Sequence, residues 1–174
     1  MRLWQSIVLA LLWALTSGAP AGAIDSDMAP PPTPADPARD DYAAGLAAFE
    51  AGDWQAVLDH MGKAIQARPW HADAYNRMGF ASRKLGDYDR ALRLYDKALE
   101  LDPHHRGALE YLGEAYLELD RPHDAAALLE RLATACQRVA HGGVDWQDSC
   151  GEWQDLKAAY DAYGDASARP TAVQ

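Results

Sequence analysis

A period of 34 residues constrains what this chain can fold into more than any single residue does. Gly45, Gly79 and Gly113 fall in one column of that period, and Ala47, Ala81 and Ala115 in another. Val57, Ala91 and Ala125 form a third, and Pro69 and Pro103 close the first two units. Small side chains recurring at such an interval mark a stack of helical units, each burying its apolar face against its neighbours. Stacks of this kind hold other molecules more often than they transform them.

The middle unit shows the local chemistry best. Tyr75, Met78, Gly79 and Ser82 keep the three-and-four spacing of one helical face. Gly86 suits the left-handed position that ends a helix, and Asp87 suits the cap of the next. The second helix then sets Ala91, Leu94, Tyr95 and Ala98 on one face until Asp102-Pro103 stops it. The spacing predicts an antiparallel helix pair in which Gly79 lies against Ala91 and Tyr95, close enough that a larger residue would not fit.

Small residues at the eighth, twentieth and twenty-seventh places and proline at the thirty-second are, in this unit, Gly79, Ala91, Ala98 and Pro103. In this pattern the chain resembles the tetratricopeptide repeat family. The first unit, residues 38–71, keeps Gly45, Gly52, Asp53, Trp54, Ala64 and Pro69, with Asp41 where an aromatic is usual. The third, residues 106–139, keeps Gly113, Ala115, Tyr116 and Ala125. It then departs, with Leu132 for the third small residue, Gln137 for the proline and Asp120-Arg121-Pro122 for the Gly-Asp turn. The resemblance spans 102 of 174 residues and implies an all-α fold. That fold is three tandem helix-turn-helix repeats (38–71, 72–105, 106–139) in a short right-handed solenoid, within a domain of residues 38–164.

A stack needs a cover for its last apolar face. Trp153, Leu156, Tyr160 and Tyr163 recur at helical spacing and predict a capping helix over about 149–163, with Ser149-x-x-Glu152 as a capping box at its start. Cys136 falls late on the last repeat helix and Cys150 at the first turn of the cap. Their reading is a disulfide that pins the cap, worth roughly 3 kcal/mol for a loop of about 15 residues. The alternative is a thiol-disulfide or metal-handling accessory protein using the same two cysteines. Against it stand the lack of C-x-x-C spacing and of any βαβ pattern.

The ends differ in composition from this middle. Residues 1–23 have a basic start, a short apolar run and Ala21-Gly22-Ala23, the pattern of a secretory signal peptide cleaved after Ala23. The run is shorter than the ~18–20 residues that span a bilayer. Residues 24–37 hold Pro30, Pro31, Pro32, Pro34 and Pro37 and read as an extended leader, and 165–174 as a flexible tail. Removing 1–23 takes away one arginine and no acid, so the net charge moves from −10 to −11. That acidity argues against nucleic acid as a partner. No integral membrane segment is expected after cleavage, and the expected location is the periplasm.

The same sequence offers no strong catalytic or metal-binding pattern. The six histidines show no H-E-x-x-H and no zinc-type spacing, and His71, His104 and His105 read as exposed turn residues. No Ser/His/Asp order and no phosphate loop is present, so neither enzyme activity nor a cofactor is expected. The carboxylates Glu110, Glu114, Glu118 and Glu130 read as solvated helix faces.

The family resemblance implies that the first helix of each unit lines a concave groove for a peptide or partner protein. Its matching positions here are Tyr42, Leu46, Phe49 and Glu50, then Asn76, Phe80, Arg83 and Lys84, then Glu110, Glu114, Leu117 and Glu118. The second unit thus reads as basic and the third as acidic. A variant of the family holds a C-terminal carboxylate, but its positions carry Tyr42, Leu46, Arg77, Gly107 and Tyr111 here, so that clamp is largely missing. The expected function is a non-catalytic protein-interaction or scaffold module of the bacterial cell envelope.

Overall fold

The computed structural model describes residues 36–139 and 146–167, all within one compact unit, Ala35–Gln174. The signal-peptide reading, the leader up to residue 35 and the tail beyond Ser167 lie outside the described residues. At the margins two readings are corrected: Pro37, read as leader, opens α1 behind the Asp36 cap, and residues 165–167, read as tail, continue α8. The described chain is all-α: α1 Pro37–Ala51, α2 Trp54–Ala67, α3 Ala72–Lys84, α4 Tyr88–Leu101, α5 Arg106–Glu118, α6 Pro122–Val139, the short α7 Trp146–Ser149, and α8 Gly151–Ser167. No helix among the described residues is long and apolar enough to cross a membrane.

One turn is built three times with different residues. Asp53, Asp87 and Arg121 each donate a backbone N–H to a carbonyl five residues back, on Ala48, Ser82 and Tyr116. This is the terminal bond of a Schellman motif, which needs a left-handed residue just before the donor. Gly52 (φ 72°) and Gly86 (φ 82°) supply it without cost, whereas the third turn uses Asp120 at φ 59°. Asp53 and Asp87 then cap α2 and α4 by accepting from Ala56 and Arg90 N–H. At α6 Pro122 stands at the helix start instead, where a missing N–H is harmless. The Asp-Arg-Pro departure therefore keeps the turn.

The three column glycines mark close contacts, though not all of one kind. A Cβ on Gly45 would lie 2.8 Å from Met61 Cε, and one on Gly79 would lie 2.6 Å from Tyr95 Cε1. Both contacts are within a helix pair, as the spacing of Gly79 and Tyr95 requires. A Cβ on Gly113 would instead meet Leu156 Cδ1 of α8, at 2.6 Å. The cap thus seats a leucine in the glycine slot of the third unit. Leu156 and Leu132 are both fully buried in the core that also holds Tyr95, Leu109 and Leu112.

Helix α8 runs alongside α5 in the same direction. Arg106 faces Glu152 near the two N-termini (3.4 Å), Gly113 faces Leu156 midway, and Tyr163 donates to the Asp120 carboxylate near the far end. The earlier odd-numbered helices show the same parallel arrangement, Tyr42 meeting Asp73 and Arg83 meeting Glu114 at a constant offset of 31 residues. The α5–α8 offset at Tyr163–Asp120 is 43, the difference being absorbed by the connection after α6. Helices α1, α3, α5 and α8 therefore form one parallel layer, backed by α2, α4 and α6.

The capping-box expectation is corrected by this geometry. Helix α8 begins at Gly151, and the Ser149 hydroxyl donates backwards to the Trp146 carbonyl, so Ser149 belongs to α7. Cys136 and Cys150 are brought together with Cα atoms 6.0 Å apart, a separation a disulfide accommodates.

Candidate functional site

The layer of α1, α3, α5 and α8 presents one continuous face, and its centre is a row of aromatic rings. The Phe49 and Phe80 centroids are 5.0 Å apart, and those of Phe80 and Tyr111 are 4.8 Å apart. Trp54 closes on both phenylalanines at 5.6 and 5.5 Å. Such tilted and edge contacts suit the ring quadrupoles. Cations lie over the row: Arg77 at 4.6 Å from the Phe49 centroid, Arg83 at 5.2 Å and Lys84 at 5.1 Å from that of Phe80. Phe49, Trp54, Phe80 and Tyr111 are all partly accessible to solvent.

Towards the helix N-termini the face carries a compact polar group. Tyr42 stacks on His71 (4.4 Å between centroids) and donates its hydroxyl to Asp73. Arg77 and His105 flank the same carboxylate at 3.6 and 3.7 Å. Burial alone would raise the Asp73 pKa, but the nearby His105 ring, the Tyr42 hydroxyl and the charge of Arg77 outweigh it and hold the carboxyl well below its ordinary range. Burial first, and Asp73 second, push the Tyr42 phenol up to about 12. The reading of His71 and His105 as exposed turn residues is corrected here: His105 Nδ1 accepts from Ala108 N–H and caps α5. His104 remains exposed.

Towards the other end, Arg83 joins α3 to α5. Its guanidinium bonds Glu114 at 2.7 Å and lies 3.6 Å from Glu118, and its side chain is only 4% exposed. Beside it a notch opens between α3, α5 and α8, lined by Lys84, Leu117, Glu118, Ala159, Ala162 and Tyr163, among others. The floor is aliphatic, and charge of both signs stands on the rim.

Of the ten groove residues expected from the sequence, Tyr42, Leu46, Phe49, Phe80, Glu114 and Lys84 are at least partly accessible. Asn76, Arg83, Glu110 and Leu117 are buried, at 3, 5, 7 and 8% exposure. The basic second unit and acidic third unit are thus no independent surfaces for a partner, because Arg83 is neutralised within the fold by Glu114 and Glu118. Glu110 is no solvated carboxylate either: burial, then the like charges of Glu114, Asp155 and Glu152, push it up to about 8. Lys84 keeps its charge in the open.

Several participants escaped sequence reasoning: Trp54, Arg77 and Tyr111 in the row, and Ala159, Ala162 and Tyr163 from the cap. A signal for Tyr111 exists. Phe49, Phe80 and Tyr111 repeat at the 31-residue offset of neighbouring parallel helices, not at the 34-residue period of the units.

Comparison with known proteins agrees with this architecture. Two family models, both described as tetratricopeptide repeat, match residues 72–105 and 108–136. No curated protein matches the chain. Among solved structures, the TPR2B domain of yeast Sti1, in its complex with pHsp70, superposes with a TM-score of 0.65 at 19% identity, over 75% of this chain and 98% of that one. The Sgt2 TPR domain of Aspergillus fumigatus gives 0.61 at 21%, over 85% and 91%. MamA gives 0.55 at 26%, over 59% of this chain and 61% of MamA. The chain thus carries tetratricopeptide repeats in an all-α helical-repeat fold.

Proposed function

We propose that this protein is a non-catalytic interaction module that holds an extended segment of a partner protein along the face of α1, α3, α5 and α8. The observation that carries this reading is the half-exposed row Phe49–Phe80–Tyr111, with the open charge of Lys84 beside it and the apolar notch of α8 at its end. A segment with an apolar or aromatic anchor and an acidic neighbour fits that chemistry. The yeast Sti1 domain of similar fold, in its complex with pHsp70, supports a protein-binding role. The missing carboxylate-clamp positions argue for a partner bound along its length and not by its C-terminus.

Residues 1–23 support placement of the module in the cell envelope, after export and cleavage at Ala23. The test is proximity crosslinking in the periplasm, followed by Lys84→Glu. Loss of the crosslinked partner at unchanged melting temperature is expected, and a partner retained by both Lys84→Glu and Phe80→Ala would sink the assignment. Within the same reading Cys136 and Cys150 form a structural staple, since they are 2 and 1% exposed and lie between α6 and α8. A thiol count on the unreduced protein should give none, and two reactive thiols would favour the thiol-handling alternative.

A further inference from the structure

Glu110 is the charged group that the interaction reading leaves without a use. It stands on α5, 93% withdrawn from solvent by its 7% exposure, and no hydrogen bond or ion pair reaches its carboxylate among the described residues. Its neighbours are mostly of its own sign: Glu114 on α5 and Glu152 and Asp155 on α8. Arg83 of α3 is the cation that opposes them, and it is already bound by Glu114 and Glu118. Arg106 is turned to Glu152. Tyr111 is the remaining titratable neighbour.

An isolated carboxylate in such a place is tolerable as a neutral acid and costly as an anion. The α8 carboxylates near it stand just before the apolar anchor of the cap: Asp155 immediately precedes Leu156, and Glu152 lies one turn earlier. Leu156 is held by its fit against Gly113, three residues beyond Glu110 on the next turn of α5. Charge on Glu110 therefore acts on α8 at its main apolar contact. The corresponding carboxylate of the α1–α3 contact, Asp73, is only part-buried and is surrounded by donors.

We propose that Glu110 is a proton-operated latch on the terminal helix: protonated, it lets α8 dock on α5, and ionised, it loosens α8 by repulsion from Glu152 and Asp155 while α1–α4 stay folded. The sign follows from linkage. The folded-state acid is weaker than an ordinary glutamic acid at 4.5, so docking is favoured at low pH and is lost progressively as the pH rises towards about 8. The connection through Cys136 and Cys150 limits this to loosening. The notch wall made by Ala159, Ala162 and Tyr163 loosens with it.

The test is hydrogen exchange of α8 amides in the oxidised full chain at pH 6 and pH 9, corrected for the intrinsic rate and compared with α1–α2. Protection of α8 should fall about tenfold or more in the wild type, and much less in Glu110→Gln, which keeps the shape without the charge. Asp155→Asn, on an exposed residue, removes one like charge and should move the midpoint to lower pH. A Glu110→Gln chain that loses protection as the wild type does overturns the latch. So does an Asp155→Asn chain with an unmoved midpoint.

Discussion

The seam between α1 and α3 and the seam between α5 and α8 join parallel helices in the same layer, yet each places a carboxylate in opposite surroundings. Asp73 receives a hydroxyl and is flanked by Arg77 and His105. Glu110 receives nothing and faces Glu114, Glu152 and Asp155. The first seam gains from ionisation and the second from its absence. The difference teaches that an ordinary repeat contact is made permanent by donors, whereas the contact that ends the stack is conditional. The glycine slots follow the same division, since Gly45 and Gly79 receive residues of their own unit and Gly113 receives one from the cap.

The largest way to break the comparison is at Arg83, which ties α3 to α5. Arg83→Glu should cost about 3–5 kcal/mol, because it puts an acid in a buried position against Glu114 and Glu118 in place of their cation, and urea unfolding should show it. Lys84→Glu, one residue away and exposed, should stay within about 0.5 kcal/mol. Next, Gly79→Leu and Gly113→Leu should each cost about 1–3 kcal/mol by overpacking, but in different places. The first should lower the global midpoint, whereas the second should strip exchange protection from α8 while leaving α1–α4 protected.

Asp73→Asn should cost about 1.5–3 kcal/mol at neutral pH, the scale of a hydrogen bond to a charged group. An acid whose folded pKa is depressed contributes stability above its unfolded value, 3.8, that is lost as the pH falls through the folded value. Urea midpoints of the wild type should therefore drop steeply below about pH 4, and those of Asp73→Asn less so. The smallest effect is expected at Asp120→Gly. Relief of the left-handed strain, about 1 kcal/mol, is partly offset by loss of the Tyr163 contact. A small rise in melting temperature should result, with faster exchange at the end of α8.

The period of 34 made the helix pairs, their turns and the Gly79–Tyr95 contact legible, because each follows from residues close in sequence. It named the cap through Trp153, Leu156, Tyr160 and Tyr163, but not the slot that Leu156 fills. That slot depends on the length of the connection after α6, which no helical spacing encodes. Arg83 and Glu110 were misread for a related reason. Periodicity assigns a side chain to a face of its own helix, while burial of a charge is decided by what the neighbouring helix brings opposite it. The 31-residue recurrence of Phe49, Phe80 and Tyr111 carried that cross-helix information and was masked by the stronger unit repeat.

The 43-residue separation between Asp120 and Tyr163 has a consequence for the birth of the molecule. At roughly 5–20 residues per second, the end of α8 leaves the ribosome about 2–9 s after the end of α5. In the first two pairs the wait is shorter, roughly 1–3 s at the same rate, since Met61 and Tyr95 follow their glycines within the same helix pair. For those seconds the third unit exists with its apolar slot open, and any chaperone that meets the growing chain meets it in that condition.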